Sequence, residues 1–208
     1  MAGMTATFQL SSAPGADRQV RRIQAITIVW MSVEATVSLW VALTARSPAL
    51  LAFGGDSIIE LFSAIVVFWR FAIKKESELV ERRAAIIAGV LLFALAAFVA
   101  GASIITLLGR SEPRPTSLGI AILLVAAVFM PWLAKKKRSL AAITGSTALK
   151  ADATESAMCG YLSLIALVGL LFNALWHISW ADAVAALCLL PFIVREGWEA
   201  VQGNHNCC

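Results

Sequence analysis

Read for hydrophobicity alone, the chain alternates long apolar blocks with short polar connections. Six blocks fall at roughly 23–45, 49–73, 84–108, 116–134, 150–175 and 179–198. As helices rising 1.5 Å per residue, they are long enough, or nearly so, to cross a hydrocarbon core of ~30 Å. The pattern predicts an all-α polytopic membrane protein of six transmembrane helices. The connections "ARSPA", "GRSEPRPTS" and "ALWHIS" are short, and the longest, "KKKRSLAAITGSTALK", is expected to form a loop from about Lys135 to Lys150. The expected organisation is a polar N-terminal segment (1–22), a six-helix transmembrane domain (23–201) and a short tail (202–208). The N-terminal segment has no apolar core, so it does not read as a cleaved signal peptide. No stretch remains for a separate soluble domain.

Composition agrees with the pattern. The 208 residues are 60% hydrophobic and only 14% charged, whereas soluble domains sit near ~45–50% and ~25%. With the N-terminus inside, Lys and Arg fall on the two sides in a 14 to 3 split of the 17 present. The inner group is Arg18, Arg21, Arg22, Arg70, Lys74, Lys75, Arg82, Arg83, Lys135, Lys136, Lys137, Arg138, Lys150 and Arg195. Arg46, Arg110 and Arg114 lie outside. Cytoplasmic loops of membrane proteins carry such an excess, so both termini are expected in the cytoplasm of a plasma or inner membrane. The net charge of +4 then belongs to membrane edges facing anionic lipid, not to a nucleic-acid partner. Two of the four cysteines, Cys159 and Cys188, fall inside predicted helices, and Cys207 and Cys208 end the chain. A disulfide framework is not expected in a reducing compartment.

The acidic residues carry the candidate chemistry. Asp17, Glu76, Glu78, Glu81, Glu112, Glu196 and Glu199 fall in loops or at helix ends and are expected to be solvated. Glu34, Asp56, Glu60, Asp152, Glu155 and Asp182 lie in or near apolar blocks, where an ionisable side chain is costly and points to function. Asp56 and Glu60 in "GGDSIIELFSAIVVFW" are one helical turn apart and share a face. Glu155 and Cys159 repeat that spacing in helix five, and Asp152 lies one turn before Glu155 on the same side. Counting residues from the helix ends brings Glu60 and Cys159 level near the midplane. No Lys or Arg interrupts the middle of a block, so the counter-charge is expected to be a proton or a metal ion. Three carboxylates and a thiolate make a plausible divalent shell of zinc type, with sulfur favouring zinc and softer ions. Such ligands lose protons as they bind, which couples metal to proton. The bland alternative is that these polar residues are glue between helices, and that Cys159 and Cys188 are small packing residues. Glu34 is an accessory candidate, either as a proton carrier or as a partner for a neighbouring helix. Asp182 is expected to stabilise the start of helix six through its dipole, and His177 to be an interfacial polar residue. The tail "GNHNCC" offers His205, Cys207 and Cys208 as accessory ligands.

These residues resemble the cation diffusion facilitators, six-helix transporters of divalent metals. The family's helix two carries Asp-x-x-x-Asp after small residues, and "GGDSIIE" places Asp56 and Glu60 there. Its helix five often shows "ADALH" and then Asp four residues later. Here "KADATESAMC" matches at Ala151 and Asp152, with Glu155 at the usual His and Cys159 at the usual second Asp. The start and amphipathic end of "WADAVAALCLLPFIVREGWEAV" are similar to helix six. The resemblance spans about residues 23–201 and is specific in helices two, five and six. It implies a metal exporter, not an enzyme, with Asp56, Glu60, Glu155 and Cys159 as ligands, Asp152 and Glu34 accessory, and no cofactor beyond the transported cation. It also implies a homodimer formed through the helices, because the family's cytoplasmic metal-binding domain is not expected after helix six.

Zinc export by proton antiport is therefore the leading expectation. One alternative is a small organic-cation or drug exchanger using Glu34 with Trp30 and Trp40 as an aromatic cage. Another is a non-transporting metal sensor or assembly protein. An intramembrane metalloenzyme would want histidine clusters, and only His177 and His205 are present.

Overall fold

The structure, a computed structural model, describes residues 14–73, 78–114 and 116–202. Six helices follow one another: α1 (Pro14–Ala45), α2 (Pro48–Ile73), α3 (Glu78–Leu107), α4 (Ser117–Thr144), α5 (Thr147–Trp176) and α6 (Ser179–Gln202). Helices satisfy their own backbone polar groups, which is what a chain in hydrocarbon requires. Among the described residues five of the six are long and apolar enough to cross a membrane. The exception, α6, carries Asp182, Arg195, Glu196 and Glu199 within its 24 residues.

The helix boundaries differ from the expected ones at two places that matter. α1 begins at Pro14, a helix starter at the first position, well before the apolar block. α4 does not stop at residue 134 but runs on to Thr144. The expected loop from Lys135 to Lys150 is therefore mostly helix. Lys, Arg, Leu and Ala are good helix formers, and "KKKRSLAAIT" contains no breaker. The stop comes at Gly145, in the left-handed region at φ 67°, whose N–H closes on the Ala141 carbonyl at 2.9 Å. Ser146 follows at once as the N-cap of α5, accepting from the Leu149 N–H at 3.3 Å. α4 and α5 thus form a tight antiparallel hairpin.

The bundle has a ring of four helices, in which α1 packs on α2 and α4, and α5 packs on α4 and α2. α3 and α6 pair with each other and lean on this ring, α3 against α2 and α6 against both α2 and α5. α2 and α5 are consequently the central helices. At the opposite end from Gly145, the connection after α3 is tied down by the Arg114 N–H to Ala45 O at 2.8 Å and by the Asn173 amide to Pro113 O at 3.0 Å. Large apolar side chains cover the outside, among them Val29, Leu43, Val128 and Leu175. Lipid tails suit such a surface, and water does not. Cys188 lies on this outer face rather than in the core.

α3 and α6 approach closely through glycine. A Cβ added at Gly89 would stand 2.7 Å from the Gly197 carbonyl oxygen and 2.6 Å from Val201 Cγ2. Gly89→Ala is expected to force the two helices apart and cost about 1–3 kcal/mol, as overpacking does. Gly101→Ala, where a Cβ meets nothing within 4 Å, should be neutral or slightly stabilising. Thermal unfolding of the two variants in detergent checks the contrast.

Candidate functional site

α1 brings a polar stripe to the ring: Gln24, Thr27, Glu34 and Ser38 are all fully buried. Glu34 is well supplied with donors. Trp30 Nε1 donates to its Oε2 at 2.7 Å, Ser57 Oγ donates to its Oε1 at 2.7 Å, and Cys159 Sγ donates to the same oxygen at 3.6 Å. Glu34 therefore joins α1, α2 and α5. The expected aromatic cage is not assembled around it. Trp30 packs on Phe129 with ring centroids 4.8 Å apart, but Trp40 faces outward.

α2 presents Asp56 and Glu60 to the interior, where they are 6% and 3% exposed. Asp56 stands among Glu60, Glu155 and Glu34, close enough for each to repel it. Ser156 of α5 donates to Glu60 Oε1 at 2.5 Å, so α2 and α5 meet as expected, but in a shifted register: Glu60 lies level with Ser156 rather than with Cys159, which instead reaches the Glu34 oxygen shared with Ser57. Glu155 is half-buried on the same side, beside Ser63 of α2. Cys159 is fully buried one turn further along α5, turned toward Glu34. The four expected ligands thus face one interior region. They do not close a shell: among the described residues no three His, Cys, Asp or Glu side chains converge tightly enough to hold a metal ion.

Asp152 does not share the outlook of Glu155. Its Oδ2 accepts from Gln24 Nε2 of α1 at 2.6 Å and pairs with Lys137 Nζ of α4 at 2.8 Å. Lys137 is the main correction to the sequence reading, which found no basic residue available to the carboxylates. It is completely buried, donates to Ser156 Oγ at 2.8 Å and stands 3.8 Å from Glu60 Oε1. At an effective dielectric near ~20 the attraction across that last distance is about 4 kcal/mol before desolvation is counted. A chain of contacts therefore runs from Gln24 through Asp152, Lys137 and Ser156 to Glu60, touching four helices. Lys137 was concealed by the expected loop. Its signal is visible once α4 is extended: Met130, Leu133, Ala134, Lys137, Leu140 and Ala141 form one buried stripe, and Lys137 is its charged member.

Glu196 is the second residue that sequence reasoning set aside. It was expected to be solvated at the end of helix six. Instead it follows Leu189 and Ile193 on the inward face of α6, half-buried, within electrostatic reach of Asp56, Glu155 and Glu60. Glu199, one turn on, is the exposed partner of Arg195 at 2.8 Å. Asp182 does more than begin α6. Its Oδ1 accepts from Ser47 Oγ at 2.7 Å and its Oδ2 from the Ala49 N–H at 3.4 Å, so it also serves the start of α2. His177 caps the end of α5 in the left-handed conformation and is exposed. His205, Cys207 and Cys208 lie outside the described residues.

What remains is an imbalance of acceptors. Among the described residues, four buried carboxylate oxygens have no donor: Asp152 Oδ1, and Glu60 Oε2, Glu155 Oε2 and Glu196 Oε2. Buried acceptors in native proteins are nearly always paired, and three of them opening on one acidic interior suit a cation.

The sequence carries the same message. No curated protein matches the chain significantly. The family profile of the cation efflux transmembrane domain, however, matches residues 25–203, covering all six helices. The chain belongs to the cation efflux family: it is a multi-pass membrane protein and a metal cation transporter of the cation diffusion facilitator type.

Proposed function

We propose that the protein exports a divalent metal ion, zinc foremost, from the cytoplasm in exchange for protons. The observation that supports this reading best is the set of buried, donorless oxygens on Glu60, Glu155 and Glu196. Asp56, Glu60 and Glu155 supply the charge that attracts the ion, and Cys159 supplies sulfur once it turns from Glu34 and loses its proton. Each ligand must be deprotonated to bind. Metal affinity therefore rises with pH, and protons arriving from the far side favour release. The site stays with α2 and α5 while the surrounding helices rock to expose it to one side and then the other. The distribution of Lys and Arg favours a cytoplasmic N-terminus, and protons moving down their gradient into the cytoplasm would drive the ion outward. A helix-mediated homodimer goes with the same reading.

Proteoliposomes loaded with a pH-sensitive dye test the cycle. Zinc flux should move protons the opposite way and should respond to an imposed pH gradient. Zinc flux without proton movement overturns antiport, and no metal flux at all favours a sensor or assembly protein.

Asp56→Asn, which removes charge and keeps volume, is expected to abolish transport while the protein still folds. Transport at the normal rate in vesicles would remove Asp56 from the ligand set.

Cys159→Asp should lower the cadmium-to-manganese transport ratio without stopping transport, and Cys159→Ser should weaken transport of soft ions. If Cys159 merely packs, Cys159→Ala will be silent in rate and selectivity.

Glu196→Gln should slow transport, whereas Glu199→Gln, altering an exposed ion pair that solvent screens, should not. Equal effects in the vesicle assay would leave Glu196 outside the pathway.

A further inference from the structure

Metal coordination gives the buried charge of Lys137 no role. Lys137 sits in the interior with its ammonium shared by Asp152 at 2.8 Å, Ser156 at 2.8 Å and Glu60 at 3.8 Å. A lysine held on an acidic site is a cation already in competition for one of its carboxylates. The arrangement is asymmetric in a useful way. Glu60 Oε1 is engaged by Ser156 and faces Lys137, while Glu60 Oε2 is left without a donor. Ser156, which itself accepts from Lys137, thus fixes the carboxylate through one oxygen with the ammonium standing by, and the other oxygen is left to a ligand. Asp152, itself anchored by Gln24 at 2.6 Å, holds the ammonium away from closer contact with Glu60.

We propose that Lys137 is a tethered cation that competes with the transported metal for Glu60, with Asp152 setting the strength of that competition. This rests on the reading of Glu60 as a metal ligand. Lys137 and Asp152 are then positioning residues that tune metal affinity. A bound ion weakens the hold of Lys137 on Glu60, and Lys137 returning to Glu60 helps the ion to leave. A site lacking this lysine would bind more tightly and turn over more slowly.

The two partners of the ion pair give opposite predictions. Lys137→Gln removes the competitor, so zinc should bind about tenfold more tightly, within the usual range of coupling between sites, and transport should slow. Asp152→Asn releases the ammonium toward Glu60, so zinc should bind about tenfold more weakly. Both variants break the same buried pair and disturb the fold in comparable ways. A purely structural role therefore moves both affinities in the same direction. The double variant Lys137→Gln/Asp152→Asn leaves neither charge buried and unpaired. It should bind zinc more tightly than Asp152→Asn alone, and it keeps the comparison open if Lys137→Gln does not fold.

The measurement is the zinc Kd of the purified full chain, obtained against a competing chelator, together with zinc flux in vesicles. Glu60→Gln belongs in the same series. If it leaves the Kd unchanged, the ligand assignment falls and takes this inference with it. If it weakens binding while Lys137→Gln and Asp152→Asn shift the Kd the same way, or the double variant binds no better than Asp152→Asn, the tethered cation is overturned and the ligand assignment stands.

Discussion

Carboxylates enclosed between apolar helices must find donors, cations or protons, and the packing of the central ring follows from that requirement. Glu34 draws α1, α2 and α5 together because its donors come from Trp30, Ser57 and Cys159. Asp152 draws α1 and α4 onto α5 through Gln24 and Lys137. In hydrocarbon, apolar side chains gain little by touching one another rather than lipid, so polar contacts and close approach carry more of the association. The α3–α6 pair illustrates close approach, with Gly89 and Gly197 letting two backbones meet. The central ring illustrates polar contact, with its acidic residues gathered about α2 and α5.

The acidic residues differ in what the protein provides for them. Glu34 receives donors on both oxygens and acts as a joint, and Asp152 does so through Oδ2 alone, its Oδ1 having no donor among the described residues. Glu60 is divided, one oxygen held by Ser156 and the other without a partner. Glu155 and Glu196 each keep a buried oxygen without a partner among the described residues. A bundle that satisfied all of them would be a more stable helical protein and a worse transporter, because nothing would remain to attract an ion. The unpaired oxygens are destabilising for the bare fold, which is consistent with their serving a ligand.

The sequence made much of this legible. Long apolar blocks announce helices by length alone, and one-turn spacing predicts that Asp56 and Glu60 look inward together. That α2 and α5 meet is legible from counting residues from the helix ends, but their register is not: small errors in where each helix begins leave Glu60 opposite Ser156, nearly a turn from Cys159. Charge was harder to place. Lys137 sits in the run "KKKR", where its neighbours Lys135, Lys136 and Arg138 are exposed as such residues usually are. Hydropathy averages over the run and sees an edge, whereas the helical period separates one inward lysine from three outward bases. Glu196 was obscured in the same way, because Arg195 and Glu199 beside it form an ordinary surface pair. Asp152 and Glu155 share a stretch of α5 yet face different partners. A three-residue step turns a helix by about 300°, and here that is enough to point one at α4 and the other at α2 and α6.

Pairing inside the bundle also constrains how the chain can vary. Lys137 and Asp152 satisfy each other where water is excluded, and removing one partner of a buried pair costs far more than removing both together. Neither position is free to drift by itself. Across descendants of this sequence the two should be retained together or replaced together, with neutral residues arriving in concert, while Lys135, Lys136 and Arg138 exchange freely with other cations. Lineages in which position 152 has lost its charge while 137 remains lysine would instead be expected to carry a new carboxylate within reach of that ammonium. The ion pair is thus a historical constraint as well as a physical one, linking two helices through the changes each permits in the other.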